Sequence, residues 1–129
     1  MNLKDFRKQP IIGILRGIAL SHVEELTHSI IRSGLRTIEI TMNTDDATRL
    51  ISEVKRVAKK NLTVGAGTVL SREDLKKALD AGATFIVLPN LIEDVVQYCV
   101  RDSIPVFPGG FTPQEVYNAW KSGATMVKV

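Results

Sequence analysis

Cysteine occurs once, at Cys99, so no disulfide can form within the chain. A single thiol suits a reducing compartment, and a cytoplasmic protein is expected. No apolar run approaches the length of a membrane span, which argues against a membrane partner. Residues Met1 to Pro10 carry Lys4, Asp5, Arg7 and Lys8 around no apolar centre, and so do not read as a secretory signal. There is no long basic run either. The net charge is only +3, and the densest group (Lys55, Arg56, Lys59, Lys60) sits at helical spacing beside Glu53, as on a solvated helix face. A nucleic-acid partner is therefore not expected. No His/Cys/Asp/Glu cluster has metal-ligand spacing, and His22 and His28 read as solvent-facing, so no metal is expected. No Ser-His-Asp signature is present, and Gly65-Ala66-Gly67-Thr68 lacks the remaining glycine of a dinucleotide fingerprint. No cofactor is expected.

What the chain does have is one alternation, repeated. Apolar runs at 11–15, 37–41, 62–65, 85–88, 104–107 and 126–129 read as strands, with starts about 20 to 26 residues apart. Between them lie amphipathic stretches with helix-start signals. Ser21 with Glu24 fits a capping box, Asp45 or Asp46 opens the next helix, and Ser71 caps another. Glu93 or Asp94 begins a fourth, and Thr112-Pro113-Gln114-Glu115 is a strong start for the last, whose Val116, Ala119 and Trp120 are expected to pack inward. A short helix over residues 3–8 precedes them all. Three helix-to-strand joints resemble one another: Ser33-Gly34-Leu35, Ala81-Gly82-Ala83 and Ser122-Gly123-Ala124.

Alternating apolar strands and amphipathic helices predict a parallel sheet covered by helices, as one domain over residues 1–129. The choice is between an open doubly wound sheet and a (β/α)8 TIM barrel. The barrel is favoured, because Arg16, Glu39, Thr41, Thr68, Asn90 and Lys128 all fall at C-terminal strand ends, which converge on one mouth in a barrel.

Two of these residues carry chemistry. Lys128 lies in the apolar terminal strand, and a lysine buried there needs a partner, a route to water or a lowered pKa. An amine that is partly unprotonated is a nucleophile towards carbonyls, so Lys128 is a candidate Schiff-base lysine; a strand-end lysine reaching water is the plain alternative. Glu39 points away from the face of Ile38 and Ile40 and shares its own with Thr37 and Thr41. It can move protons during imine formation and carbon–carbon cleavage, or it can be half of a structural ion pair. Gly65-Ala66-Gly67-Thr68 offers small residues that let a ligand approach, with the Thr68 hydroxyl to bind a carboxylate; an ordinary tight turn is the alternative. Arg16 is either an anion clamp for a keto acid or a surface arginine. Pro89-Asn90 and Pro108-Gly109-Gly110 can shape the mouth through backbone geometry alone.

In order along the chain, Gly13-Ile14-Leu15-Arg16, Gly34 with Ile38-Glu39-Ile40-Thr41, Val64-Gly65-Ala66-Gly67-Thr68-Val69, Leu88-Pro89, Pro108-Gly109 and Gly123 with Val127-Lys128 form a specific set. This set resembles the class I aldolases that cleave 2-keto-3-deoxy-6-phosphogluconate and 4-hydroxy-2-oxoglutarate. The resemblance implies a (β/α)8 barrel, commonly a homotrimer, that releases pyruvate and an aldehyde from a small keto acid. It casts Lys128 as the Schiff-base lysine and Glu39 as the general acid/base. It puts Thr68, Pro89 and Gly109, with Thr41, at the substrate, and Arg16 near the substrate carboxylate. Some members of the family have an arginine where this chain has Asn43, a difference that bears on the aldehyde partner. The family usually continues from the lysine into Phe-Pro-Ala and two further βα units, so this chain is expected to form an incomplete barrel of about six units. A non-catalytic, carboxylate-binding or self-assembling partial barrel is the first alternative. Another phosphosugar barrel, an isomerase or decarboxylase, is the second.

Overall fold

The computed structural model describes residues 1–129. Short helix α1 (Leu3–Phe6) precedes five strands that alternate with five helices: β1 (Gly13–Leu15), α2 (Val23–Arg32), β2 (Thr37–Thr41), α3 (Ala47–Ala58), β3 (Thr63–Gly67), α4 (Arg72–Asp80), β4 (Ile86–Val87), α5 (Glu93–Arg101), β5 (Val106–Phe107) and α6 (Pro113–Lys121). All pairings are parallel, and the order in the sheet is the order in the chain, β1-β2-β3-β4-β5. A doubly wound sheet would reverse direction once; this one never does, which is the winding of a barrel wall.

The sixth predicted strand is not one. Residues 126–129 make a single parallel bridge, Gly109 to Lys128, held by Gly110 N–H to the Lys128 carbonyl at 2.9 Å and Lys128 N–H to the Pro108 carbonyl at 2.9 Å. Met126, Lys128 and Val129 are exposed, so the reading of a buried terminal strand is corrected: this segment is paired along β5 only, and the lysine has a direct route to water.

Strand residues alternate between two surroundings. Ile38, Ile40, Val64, Ala66, Ile86, Leu88 and Val106 face the helices and join Leu50, Ile51, Val54, Leu75, Val95 and Val96 in one core. Full burial of each of these valine, leucine and isoleucine side chains is worth roughly 1.5–3 kcal/mol. The other face holds Phe85, Val87 and Phe107, with Ile12 and Met1 packed against them. Phe6 from α1 is buried at the same end, and the Met1 ammonium donates to the Thr84 carbonyl at 3.1 Å.

The ends of the helices follow local chemistry. Thr112 and Glu115 form the full capping box of α6, and the Ser71 hydroxyl accepts from Asp74 N–H at 3.0 Å at the start of α4. Gly34, Gly82 and Gly123 each adopt positive φ just past a helix, which turns the chain directly into the next strand. Two expectations fail. Ser21 caps nothing, because residues 20–22 form a 3-10 turn and α2 starts at Val23. Trp120 is 69% exposed rather than packed inward, since the buried stripe of α6 passes through Ala119.

Candidate active site

Glu39 sits at the centre of β2, between Ile14 of β1 and Gly65 of β3 in register. Its strand neighbours face the helices, so pleat alternation turns its side chain onto the concave face. There it lines a cleft of about 250 Å³ with Phe6, Ile12, Ile14, Val87, Phe107, Met126, Val127 and Lys128. Seven of the nine lining residues are hydrophobic; the carboxyl and the amine are the only ionisable groups among them. Glu39 is 4% exposed, and burial raises its pKa above the usual glutamate range; the charges of Lys128 and Arg16 oppose that rise without cancelling it. The Glu39 carboxyl is thus electrostatically coupled to two cations, Lys128 and Arg16.

Arg16 follows β1 at the same end of the sheet. It is exposed, and its Nη2 donates to Thr68 Oγ1 at 3.3 Å. Thr68 follows β3 directly and has φ 54°. A β-branched residue in the left-handed region carries strain, of order 1–3 kcal/mol, that the surroundings must hold. Its effect is to present the hydroxyl next to Arg16 at the rim.

The remaining predicted residues divide. Pro89 and Gly109 line a second hollow of about 430 Å³ beside Asn90, Gly110 and Asn118, and Lys128 borders this hollow as well as the Glu39 cleft. Gly109 packs so closely on the Pro89 carbonyl that any β-carbon there would collide with it. Thr41 stands apart: it is wholly buried, its hydroxyl donates to the Leu15 carbonyl at 3.5 Å, and it shares a 3.0 Å hydrogen bond with Thr44 Oγ1. Because Thr44 also accepts from Gly17 N–H at 3.1 Å, Thr41 belongs to a network that ties the end of β2 to the end of β1. The glycines of Gly65-Ala66-Gly67 are not open ground for a ligand as expected. The Phe85 ring fills the space above Gly65, and the Glu39 carboxyl fills that above Gly67. Phe85, Phe6, Ile12 and Met126 around the cleft had no signal in the sequence beyond being apolar; their role comes from the face they occupy.

A larger hollow of about 650 Å³ lies between α2, α3 and α4, away from the strand ends. Its wall mixes Glu24, Glu53 and Asp80 with Arg49, Arg56 and Lys77, and Arg56 pairs with Glu53 at 2.8 Å. It reads as a solvated groove between helices. No group of three or more His, Cys, Asp or Glu side chains can hold a metal ion, and no helix is long and apolar enough to cross a membrane.

The family described as "Aldolase: KDPG and KHG aldolase" matches residues 3–129. A 2-dehydro-3-deoxy-6-phosphogalactonate aldolase of Escherichia coli (strain K12) is 32% identical over 126 residues, which cover 95% of this chain and 60% of that protein. A 2-dehydro-3-deoxy-phosphogluconate aldolase of Treponema pallidum (strain Nichols) is 31% identical over 120 residues, covering 91% of this chain and 57% of that one. The solved 2-keto-3-deoxy-6-phospho-gluconate aldolase of Zymomonas mobilis ATCC 29191 superimposes with a TM-score of 0.81 at 27% identity, over 88% of this chain and 54% of that chain. The chain therefore spans between 54 and 60% of the length of these relatives.

Proposed function

We propose, from the premise that this chain belongs to the KDPG and KHG aldolase family, that it carries the imine-forming part of a class I aldolase site acting on a small 2-keto acid. The substrates named for its relatives set the class: a 2-keto-3-deoxy sugar acid phosphate, or 4-hydroxy-2-oxoglutarate. The observation that carries the reading is the meeting of Glu39 and Lys128 in one apolar cleft on the concave face of the sheet.

In this reading the Lys128 amine adds to the C2 carbonyl, and loss of water leaves a protonated imine. Glu39, as carboxylate, takes the proton of the C4 hydroxyl. The C3–C4 bond breaks, its electron pair moves into the imine to give an enamine, and the aldehyde departs. Glu39, now protonated, returns its proton to C3. Water then hydrolyses the imine, releasing pyruvate and the free amine. A carboxyl that must both take and give a proton works best with a pKa raised towards neutrality, which is the direction burial moves Glu39. Arg16 and Thr68, joined at the rim, offer a cation and a hydroxyl to the substrate carboxylate. Pro89 and Gly109 form the wall on the far side of Lys128.

Assembly into a homo-oligomer, a trimer as in the family, belongs to the same reading, and the exposure of Phe111, Tyr117 and Trp120 supports it. A cytoplasmic location is supported by the single free thiol, Cys99. Borohydride added together with pyruvate tests the chemistry. A reduced adduct at Lys128, read by peptide mass spectrometry, is expected; a folded protein left unmodified at Lys128 would reject it.

A further inference from the structure

Glu39 makes no side-chain hydrogen bond, yet its carboxyl has one definite place. In register it stands opposite Gly65, but it does not lie over Gly65. A methyl group added at Gly65 would lie 2.5 Å from Cε1 and Cε2 of Phe85, so the ring occupies that ground. A methyl group added at Gly67 would instead lie 2.5 Å from Oε1, 2.7 Å from Cδ and 3.2 Å from Oε2 of Glu39. Gly67 is in register with Thr41, two residues nearer the C-terminal strand ends, about 6.6 Å along the strand. The side chain therefore leans from its own level towards the rim, where Arg16, Thr68 and Lys128 lie.

We infer that Phe85 and Gly67 are the positioning residues of Glu39: the ring is a floor that denies the carboxyl the space over Gly65, and the absent side chain at Gly67 is the seat that receives it. The floor is firm, because Phe85 is fully buried and its ring packs on Phe107 with centroids 5.7 Å apart. Glycine at 67 is there for space and not for conformation. Gly67 does not have positive φ, so alanine fits its backbone, and the three atoms nearest to such a methyl all belong to the Glu39 carboxyl. The positioning role rests on the acid/base reading of Glu39; the seat itself does not.

The test is a cycle of four chains: the parent, Gly67→Ala, Glu39→Ala and the double variant. Gly67→Ala is expected to lower the melting temperature by about 5 °C or more, whereas in the Glu39→Ala background the same methyl costs nothing, because its space is empty. A Gly67→Ala chain that fails to fold while the double variant folds is the same result in stronger form. Equal losses in both backgrounds, or a double variant that does not fold, would overturn the seat. Carboxyl ¹³C titration reports position: in Gly67→Ala the Glu39 pKa falls towards the ordinary glutamate range as the carboxyl moves to water, whereas in the floor variant Phe85→Leu it rises further as the carboxyl settles over Gly65, away from the rim and its cations. Exchange of pyruvate methyl hydrogens in D₂O reports function. Gly67→Ala is expected to lose about 10²-fold in exchange rate while Lys128 is still trapped by borohydride, as for a base displaced by about an ångström. Unchanged titration and unchanged exchange would refute the positioning role. If the parent forms no adduct at Lys128, the aldolase reading fails, and the melting cycle and the titration still decide the seat.

Discussion

On the helix-covered face of the sheet, Ile38, Ile40, Val64, Ala66 and Ile86 are at most 2% exposed and meet helix side chains at every position. On the concave face, one residue along the same strands, Glu39 stands beside two glycines, Phe85 and Val87 pack only on one another and a few neighbours, and a cleft of about 250 Å³ stays open. The same backbone serves both, and a shift of one residue separates them. The packed face gains stability from area removed from water. The concave face gives some of that up, holding a carboxyl that burial disfavours and a threonine with strained φ. Residues that weaken a fold locally, grouped at strand ends, are what a site requires.

Substitutions on the two faces should therefore separate activity from stability. The largest effect is expected at Lys128: Lys128→Ala removes the proposed nucleophile, and mass spectrometry after borohydride and pyruvate should find no adduct elsewhere in the cleft, with the melting temperature nearly unchanged because the side chain is exposed. Glu39→Gln comes next, with turnover down about 10²- to 10⁴-fold while the fold stays intact. This variant also has a pH signature. Burial holds the folded-state pKa of Glu39 above the ordinary value of 4.5, so the folded chain keeps this proton more tightly than the unfolded one. That contribution is fully present below about 4.5 and is lost as pH rises through the folded value. Denaturant titrations across that window should show a flatter decline for Glu39→Gln than for the parent; identical profiles would mean the carboxyl is not buried. On the packed face, Leu50→Ala should cost about 2–5 kcal/mol in denaturant unfolding and leave adduct formation per folded molecule unaltered. A large loss of trapping there would show that the faces are not independent. The smallest effect belongs to neither face: Thr112→Ala breaks the capping box of α6 and should lower stability by about 1 kcal/mol, with Lys128 chemistry unchanged.

Much of the fold was legible in advance for reasons of period. The interval between strands, the glycine joints at Gly34, Gly82 and Gly123, and the caps at Ser71 and Thr112 are local features, and each appears where its neighbours in sequence require it. Misjudged features depended on distant partners. Ser21 has the right chemistry for a cap but lies in a 3-10 turn, Trp120 has the right hydrophobicity but the wrong side of α6, and residues 126–129 have strand character but pair along β5 alone. The site divided in the same way. Glu39 and Lys128 could be singled out as charges inside apolar strands, whereas Thr41, equally well placed by alternation, is taken up by Thr44 and Leu15.

The sequence by itself determined the order of elements, the face on which Glu39 lies and the end of the sheet at which Arg16, Thr68 and Lys128 gather, because alternation and spacing are properties of neighbouring residues. Only the tertiary structure decided that Lys128 reaches solvent, that Thr68 is strained beside Arg16, and that the two glycines beside Glu39 are filled by a ring and a carboxyl. Those outcomes turn on which side chain of one strand occupies space left by another, and such occupancy exists only once the strands are side by side.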